Sequence, residues 1–449
     1  DMGNAERLSH YYKDSLGYCE KWDSWMSYNG KVWRKGELLA VRQAQETVRL
    51  ILQESELNSS EDHLAKLYKH YAQSQKASSV KGMLYLARSK VLQIEPNQLD
   101  ANPDLFNLSN GTVNLKTGLL VPHNKNDFIT KCSPIAYDPS AAAIRWERFL
   151  VEVFEGNQEL IEYLQRAIGY SITGHANERA FFILHGIGRN GKSTLVETLS
   201  HIIGDDYSLG MPSESLYSKK NDGGVPNDIA RLRGSRFVYS SEGEDGKHLA
   251  VAKIKQLTGN EKITSRHMRG EWFDFMANFK IWFSTNHKPE ISESAEAIWD
   301  RVKLIPFNKR FSEEEKDPNL RQTLLAESAG ILNWILEGAR KWYSQGLGDC
   351  SIVKVATSDY RKDSDLIGRF LEECCERGQA REIQCKKLYE RFDQWTKEQG
   401  LSHVMSSVSF SKRLREKGLP EPLRRTGSRF FWQGIDLLPA EDGLQTENW

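Results

Sequence analysis

Residues 186–194 form a glycine-rich segment whose composition suits phosphate binding. The segment reads Gly-Ile-Gly-Arg-Asn-Gly-Lys-Ser-Thr and fits the pattern G-x-x-x-x-G-K-[ST]. In such a loop the glycines permit positive φ angles and close approach, so that backbone N–H groups can surround nucleotide phosphates. Lys192 would reach the β- and γ-phosphates, and the hydroxyl of Ser193 would ligate Mg²⁺. The predicted nucleotide-binding residues are Gly186, Gly188, Asn190, Gly191, Lys192, Ser193 and Thr194.

The sequence around this phosphate loop, residues 186–191, favours a nucleoside triphosphate as the ligand. Residues 180–185 predict a strand before the loop and residues 193–203 a helix after it, which would place the phosphates at a helix N-terminus. The glycines also spell G-x-G-x-x-G, a dinucleotide-binding pattern. The Lys-Ser pair that follows argues against a dinucleotide, as does the lack of a suitable acid ~20 residues further on. An accidental match is the third alternative.

Acidic and polar side chains follow two further apolar runs. Residues 237–240 predict a strand that leads to Glu242 and Glu244, and residues 279–284 predict one that leads to Asn286. Glu242 could hold Mg²⁺ through water or orient the attacking water, and Asn286 could hydrogen-bond the γ-phosphate or that water. A surface acidic loop and a turn asparagine are the alternatives. We predict that Lys192, Glu242, Glu244 and Asn286 are catalytic and that Ser193 and Glu242 are metal ligands.

A basic hairpin is predicted between these two strands. Residues 262–275 alternate in polarity, turn at Arg269-Gly270 and alternate again. A basic hairpin tip could bind nucleic-acid phosphates in a salt-dependent way. It could equally be the solvated end of a hairpin, and the residues alone leave both readings open.

The order of the remaining elements predicts the fold class. Between residues 180 and 310, strands alternate with helices, which indicates an α/β domain with a largely parallel sheet. The preceding residues predict a mixed α+β region, with a hairpin signal at Asn29-Gly30, two short hairpins within residues 107–123 and a helical segment over residues 142–173.

The C-terminal part predicts a winged-helix module. Helices are expected at residues 366–377, 386–398 and 407–417, followed by a hairpin that turns at Thr426-Gly427. A basic third helix in the major groove and a basic wing on the backbone would bind duplex DNA. A solvated basic face and a protein-docking module are the alternatives. The predicted DNA contacts are Lys412, Arg413, Arg415, Arg424 and Arg425.

Composition excludes several classes of protein. The chain has 449 residues, with 61 Lys and Arg against 61 Asp and Glu, so its formal net charge is zero. A uniformly basic nucleic-acid coat is therefore excluded, although a local basic site is not. No apolar run approaches the ~18 residues that a membrane span needs, and we expect no membrane partner and no signal peptide. The six irregularly spaced cysteines predict reduced thiols.

The order of these motifs resembles a known family, the superfamily 3 helicases, and within them the phage/plasmid primase-helicases related to the bacteriophage P4 α protein and poxvirus D5. The resemblance covers most of the chain. The matching stretches are GNAERL, LFNLSNGTVNLKTGLLVPHNKNDFITK, YLQRAIGYSITG, GIGRNGKST, DIARLRGSRFVYSSEGE, IKQLTGNEKITSR, FKIWFSTNHKP and EAIWDRVKLIPF. The chain departs from the family at two points, where Ser241 precedes Glu242 and Asp300 separates Trp299 from Arg301.

The resemblance implies an AAA+ P-loop ATPase core that uses ATP and Mg²⁺ and assembles into a ring, usually a hexamer. It implies that Arg301 acts as an arginine finger on the neighbouring subunit's ATP. Lys255 would lie near phosphate or DNA, and the hairpin would contact single-stranded DNA in the channel. The hairpin residues given this role are Arg266, His267 and Arg269.

We expect an ATP-dependent replicative DNA helicase of a phage, plasmid or other mobile element, moving 3′→5′ on single-stranded and forked DNA in the cytoplasm of a bacterial host. The domains would be an N-terminal α+β collar or loading region at 1–140, the motor at 141–345 and the winged-helix module at 352–440. Origin duplex DNA and a primase or polymerase are further expected partners, and the Asp before the first Met suggests a helicase portion cut from a longer chain. An origin-binding initiator ATPase without processive unwinding is the main alternative, and a P-loop nucleotide kinase is the third.

Overall fold

The computed structural model describes residues 1–53, 60–218, 227–241, 247–266, 272–291, 296–399, 405–425 and 429–439. The chain divides into two compact units, one comprising Asp1–Pro289 with Asp300–Lys354, the other Glu290–Trp299 with Val355–Trp449. The described residues include no helix that is long and apolar enough to cross a bilayer.

The first unit begins with small antiparallel sheets and helices. Its opening elements are α1 (Met2–Tyr11), β1 (Leu16–Cys19), β2 (Ser24–Tyr28), β3 (Trp33–Lys35), α2 (Glu37–Leu50), α3 (Glu61–Ser74), α4 (Ala77–Ala87), β4 (Leu92–Gln93), β5 (Leu105–Leu108), β6 (Gly111–Asn114) and β7 (Leu119–Val121). One sheet has the order β3-β2-β1-β4 and another the order β5-β6-β7. The predicted turns fall between β2 and β3, β5 and β6, and β6 and β7, so the hairpin predictions are confirmed.

The same unit continues with alternating helices and strands. They are α5 (Ile144–Val153), α6 (Gln158–Ser171), β8 (Phe181–His185), α7 (Lys192–Ile203), β9 (Ser208–Gly210), α8 (Asn227–Ala230), β10 (Phe237–Ser241), α9 (Val251–Leu257), β11 (Lys262–Arg266), β12 (Trp272–Met276), β13 (Lys280–Thr285), β14 (Val302–Pro306), α11 (Leu320–Ala326) and α12 (Ser328–Gln345), with α10 (Glu296–Trp299) belonging to the second unit. The single helical segment expected over 142–173 is instead two helices. Gly156, at φ +77°, breaks it, and the side chain of Asn157 caps α6 by accepting from the Leu160 N–H.

A parallel sheet forms the centre of this unit, with the strand order β14-β8-β13-β10-β9. Every neighbouring pair in it runs parallel, so the predicted α/β domain with a parallel sheet is confirmed. Residues 181–184 and 280–285 are buried throughout, as expected for strands covered on both faces. Because parallel strands share a direction, their C-terminal ends lie along one edge of the sheet.

Two buried basic side chains hold the N-terminal ends of strands β10 and β13 to the C-terminal end of helix α6. Lys280, the first residue of β13, donates from Nζ to the carbonyl oxygens of Thr173 (2.6 Å) and His175 (3.0 Å). Arg236, the residue before β10, donates from Nη1 to Ile172 O at 2.7 Å. These carbonyls lie at or just beyond the C-terminal end of α6, where cations are favoured by the helix dipole.

The second unit packs helices against an antiparallel sheet. Its elements after the shared helix α13 (Ser351–Ser364) are α14 (Leu366–Cys374), β15 (Cys375–Gln384), α15 (Cys385–Glu398), α16 (Ser407–Glu416), β16 (Leu423–Arg425) and β17 (Arg429–Leu437). The sheet order is β15-β17-β16, and in the core Phe392 stacks on Phe410 while Phe370 meets both rings edge-on. The helices and the final hairpin were predicted, whereas β15 was not. The predicted turn at Thr426-Gly427 lies outside the described residues.

Candidate functional site

Three of the predicted site segments leave the parallel sheet at the same edge. In the register of the sheet, His185 at the end of β8 pairs with Thr285 at the end of β13 and with Pro306 at the end of β14. Ser284 of β13 pairs with Ser241, the last residue of β10. The phosphate loop, Asn286 and the end of β10 at Ser241 therefore lie side by side, which is the usual place for a ligand in an open parallel sheet.

The phosphate loop is a tight connection between β8 and α7. Gly188 and Gly191 both have φ +86°, a conformation that suits glycine, and Gly191 immediately precedes α7. At Gly186 a side chain is excluded by the lack of space and not by the φ angle. A Cβ atom there would lie 2.2 Å from Asn190 Nδ2 and 2.3 Å from Phe307 O. The loop is thus closed on itself and leads directly into the N-terminus of a twelve-residue helix, where N–H groups and the helix dipole favour anions.

Lys192 connects the loop to the neighbouring strand. Its side chain is almost fully buried, and Nζ donates to Gly186 O (2.5 Å), Asn190 Oδ1 (3.0 Å) and Asn286 Oδ1 (3.0 Å). Burial lowers the pKa of Lys192 to about 8. The structure therefore brings together four predicted site residues, and it holds the ammonium group on neutral oxygens.

The loop is also braced from the strand on its other side. Asn190 Nδ2 donates to Phe307 O at 3.2 Å, and the backbone N–H of Phe311 donates to Arg189 O at 2.9 Å. Both partners belong to the segment after β14. The sequence did not indicate this segment, because its contacts with the loop are made by backbone atoms, which any residue type could provide.

Beside the loop, His185 ends strand β8. Burial, with the positive charges of Lys288 and Lys192, lowers the pKa of His185 to about 4, so the imidazole is neutral near pH 7. A neutral His185 adds no charge next to the ammonium group of Lys192.

The remaining phosphate-side residues fit a nucleotide and a divalent cation. Ser193 is exposed in the first turn of α7 and Thr194 is half-buried beside it, so a hydroxyl is available next to the phosphate loop. Asn286 is exposed at the same edge. The predicted Glu242 and Glu244 lie outside the described residues. A buried ammonium group, a helix N-terminus and an adjacent hydroxyl are the groups that bind a polyphosphate and its Mg²⁺.

Arg301 is not brought to this edge. It precedes β14, and its backbone carbonyl accepts from the Phe181 N–H at the start of β8, so it lies at the far edge of the sheet. The five residues of β14 separate it from the phosphate loop by about 16 Å, at ~3.3 Å per residue. Its Nη1 donates to Lys255 O and to Thr258 Oγ1, the latter at 2.8 Å. Lys255 and Arg301 thus lie together at the end of α9, away from their own chain's phosphate loop.

The predicted hairpin is formed by β11 and β12, which pair from Lys262 with Met276 to Arg266 with Trp272. The guanidinium of Arg266 lies over the Trp272 ring, 4.8 Å from its centroid. His267 and Arg269 lie outside the described residues. On the other side, the Arg233 guanidinium lies 5.4 Å from the ring centroid of Phe273.

The predicted basic residues of the second unit lie on α16 and β16. Several have carboxylate neighbours. Arg415 Nη1 donates to Glu421 at 2.5 Å, and Arg425 Nη2 donates to Glu382 at 2.7 Å. Lys412 is exposed and 4.0 Å from Glu416, while Arg413 lies on α16 and Arg424 is exposed on β16. The structure places all of them on the predicted helix and wing strand.

Comparison with known proteins gives three family matches. Residues 5–155 match the family described as D5 N terminal like, and residues 362–426 match the family described as Poxvirus D5 protein-like. Between them, residues 184–301, which include the phosphate loop, match a family of unknown function, DUF5906.

Curated relatives come from DNA viruses. A "putative helicase" of Acanthamoeba polyphaga mimivirus is 26% identical over 329 residues, which cover 68% of this chain and 34% of that protein. A "putative primase" of African swine fever virus (isolate Tick/Malawi/Lil 20-1/1983) is 22% identical over 302 residues, covering 61% of this chain and 31% of that protein. The chain therefore spans about a third of the length of these relatives.

A solved structure shares the fold. The apo structure of the NrS-1 C terminal region aligns with a TM-score of 0.50 and 10% identity, covering 97% of this chain and 100% of that one. At this identity the likeness concerns the fold alone.

Proposed function

We propose that the chain is an ATP-driven replicative DNA helicase of the D5-like primase-helicase type, because it matches both the D5 N terminal like family and the Poxvirus D5 protein-like family. The observation that carries the proposal is the contact of Lys192 Nζ with Asn286 Oδ1 at the carboxyl edge of the parallel sheet. It joins a glycine-rich phosphate loop to a polar strand end, which is the arrangement that phosphoryl transfer to water requires. The names of the viral relatives support replication as the process served.

In the proposed reaction, the N–H groups of the phosphate loop and Lys192 bind the β- and γ-phosphates. Ser193 and Glu242 would hold Mg²⁺, which supplies charge neutralisation on the phosphate oxygens. Asn286 positions the attacking water or the γ-phosphate, and Glu242, with Glu244 near it, orients the water. When a nucleotide binds, phosphate oxygens would replace Gly186 O as acceptors for Lys192 Nζ, and their negative charge would stabilise the protonated form of Lys192.

We place Arg301 in the site of a neighbouring subunit. Its position about 16 Å from its own phosphate loop supports action in trans, because an arginine side chain cannot span that distance. The proposed assembly is a ring, usually a hexamer in such helicases, with an AAA+ core at residues 141–345, a collar or loading region at 1–140 and a winged-helix module at 352–440. The ring would move 3′→5′ on single-stranded DNA contacted by Lys255, Arg266, His267 and Arg269.

ATP hydrolysis with and without dT30 tests the proposal, with Lys192→Ala as the diagnostic variant. Loss of the buried ammonium group should lower kcat about 10²- to 10³-fold, the scale for one removed charge-stabilising donor. Lys354→Ala removes an exposed lysine and should hydrolyse ATP as the wild type does. Wild-type hydrolysis that does not respond to dT30 at any salt concentration would contradict a translocating motor.

An origin-binding initiator is the second candidate, and the exposed basic side chains on α16 and β16 favour it. Lys412 and Arg424 would then contact duplex DNA while ATP binding controls assembly. Strand displacement on a forked substrate separates the two functions. Robust ATPase without displacement supports the initiator, and displacement supports the helicase.

A further inference from the structure

One face of the β11–β12 hairpin carries mostly exposed side chains. Strand alternation separates the buried side chains of Ile263, Ser265 and Phe275 from the outward ones. The outward face carries Lys262, Thr264, Arg266, Trp272, Asp274 and Met276. Trp272 is 56% exposed and Met276 is 44% exposed, so two large apolar side chains face solvent on one short strand. Asp274 lies between them on the same face, so the exposed indole ring of Trp272 forms an apolar surface of its own at one end of the strand.

The charge on this face is concentrated beside Trp272. Asp274 is neutralised by Lys262 Nζ at 2.9 Å, and it also accepts from the Thr264 hydroxyl at 2.7 Å. Arg266 pairs with no carboxylate within the described ranges, and its Nε is buried without a hydrogen-bond partner there. Its guanidinium instead lies over the indole ring of Trp272. Among the residues that the structure describes, a positive charge without a carboxylate partner thus adjoins an exposed aromatic ring.

The opposite face of the hairpin is fixed in place. Arg233 lies between two aromatic rings, with its guanidinium carbon 5.4 Å from the ring centroid of Phe273 and 4.9 Å from that of Trp22. Phe273 follows Trp272 directly in the chain, so the anchor acts on the strand that presents the indole ring. A rigid aromatic side chain binds at a smaller cost in conformational entropy than a mobile one.

We propose that Trp272 and Arg266 form a stacking platform for a base of single-stranded DNA. Every base has a π face, so stacking on Trp272 would tolerate any sequence, while Arg266 would contribute cation–π stacking and attract the phosphate backbone. Paired bases in duplex DNA have no free face to offer, so the platform distinguishes single strands from duplex. The inference rests on the proposed function, and it adds Trp272 to the contacts that the sequence predicted.

Binding of fluorescein-labelled dT30, followed by anisotropy, tests the platform. Trp272→Leu should weaken binding about 5- to 150-fold, the range for the loss of one base stack. Trp272→Phe keeps a π face and should recover most of the affinity. Binding of a 30-base-pair duplex should not change. Tyr85→Leu is the matched control, because Tyr85 is also an exposed aromatic beside an arginine, Arg88, but lies on α4.

The salt dependence separates the two side chains. A plot of log Kobs against log salt should keep its slope in Trp272→Leu, because stacking releases no counterions. In Arg266→Gln the slope should become shallower by about 0.7, the value for one phosphate contact on a single strand. An altered slope in Trp272→Leu would indicate a general loss of the basic surface and would contradict stacking.

The outcomes distinguish failure of the platform from failure of the proposed function. If the wild type binds dT30 and Trp272→Leu binds it equally well, the platform is wrong and the helicase proposal stands. If the wild type binds no dT30 at low salt, the helicase proposal itself fails. If Trp272→Leu binds dT30 normally but forms a smaller assembly by light scattering, Trp272 contacts a second copy of the chain and the platform is wrong. Thermal unfolding of both Trp272 variants verifies that they are folded.

Discussion

Gly186→Ala should disable the phosphate loop through a steric clash. The new methyl group would lie 2.2 Å from Asn190 Nδ2 and 2.3 Å from Phe307 O, roughly 1 Å inside normal contact. The Asn190 amide could rotate, but it would then release Lys192. The carbonyl of Phe307 is backbone, and its residue is held by a 2.7 Å hydrogen bond from Phe307 N to His185 O. The loop itself must therefore move.

The magnitude follows from that displacement. Overpacking of this kind costs about 1–3 kcal/mol of unfolding free energy. A misplacement of about 1 Å in a phosphate-binding group costs about 100-fold in turnover. We therefore expect ATP hydrolysis to fall about 100-fold, with a loss of stability that leaves the chain folded at 25 °C.

The assay is steady-state ATP hydrolysis beside urea unfolding, with Gly346→Ala as the control. Gly346 follows α12 at φ +69°, and a Cβ there would meet nothing closer than 3.5 Å. The control should lose about 1–2 kcal/mol through backbone strain alone and keep its ATPase activity. Wild-type hydrolysis by Gly186→Ala would refute the steric argument.

Two further predictions concern the opposite edge of the sheet. Arg301→Ala and Lys192→Ala should each lose almost all ATPase activity. An equal mixture of the two should recover activity at about a quarter of the interfaces of a randomly mixed ring, where an intact Lys192 meets an intact Arg301. No recovery would contradict action in trans. Burial lowers the pKa of Lys280 well below 10.5, so at pH values between that lowered pKa and about 10.5 the unfolded chain binds more protons than the folded one. The free energy of unfolding should therefore rise with pH in that window, by up to ~1.4 kcal/mol per unit from this group. Urea unfolding at pH 7.5–9.5 should show a smaller slope in Lys280→Met, and an equal slope would show that Lys280 is not the source.

The parts of the fold that the sequence predicts are those with strong local patterns. β8 and β13 are continuous apolar runs because helices cover both faces of the sheet. β9 was missed because Ser208–Gly210 contains a single apolar side chain. β15 was missed because Cys375–Gln384 is mostly polar and half of it is exposed, and it becomes a strand only by pairing with the distant β17. Pairing over such a distance has no local signature.

The same distinction applies to the site. Strand ends at residues 185 and 285 could be located from hydrophobic runs, but β13 is not the next strand after β8 in the chain, and only the fold places them side by side. The contact between Lys192 and Asn286 follows from that placement. The sandwich of Arg233 between Trp22 and Phe273 joins segments far apart in sequence, and a cation over a ring needs no fixed spacing. No pattern in the sequence could have indicated it.

Lys280 and Arg236 have a mechanical consequence. They fasten the N-terminal ends of β13 and β10 to the end of α6, and the C-terminal ends of the same strands lie at Asn286 and Ser241. Each strand therefore connects the candidate site at its C-terminal end to α6 at its N-terminal end. If the site hydrolyses ATP as proposed, a shift of Asn286 on loss of the γ-phosphate would be transmitted along β13 to the end of α6, and a load on α6 would move Asn286 relative to Lys192. In the proposed helicase, the C-terminal end of α6 and the residues that follow it would thus couple force on this helix to ATP hydrolysis.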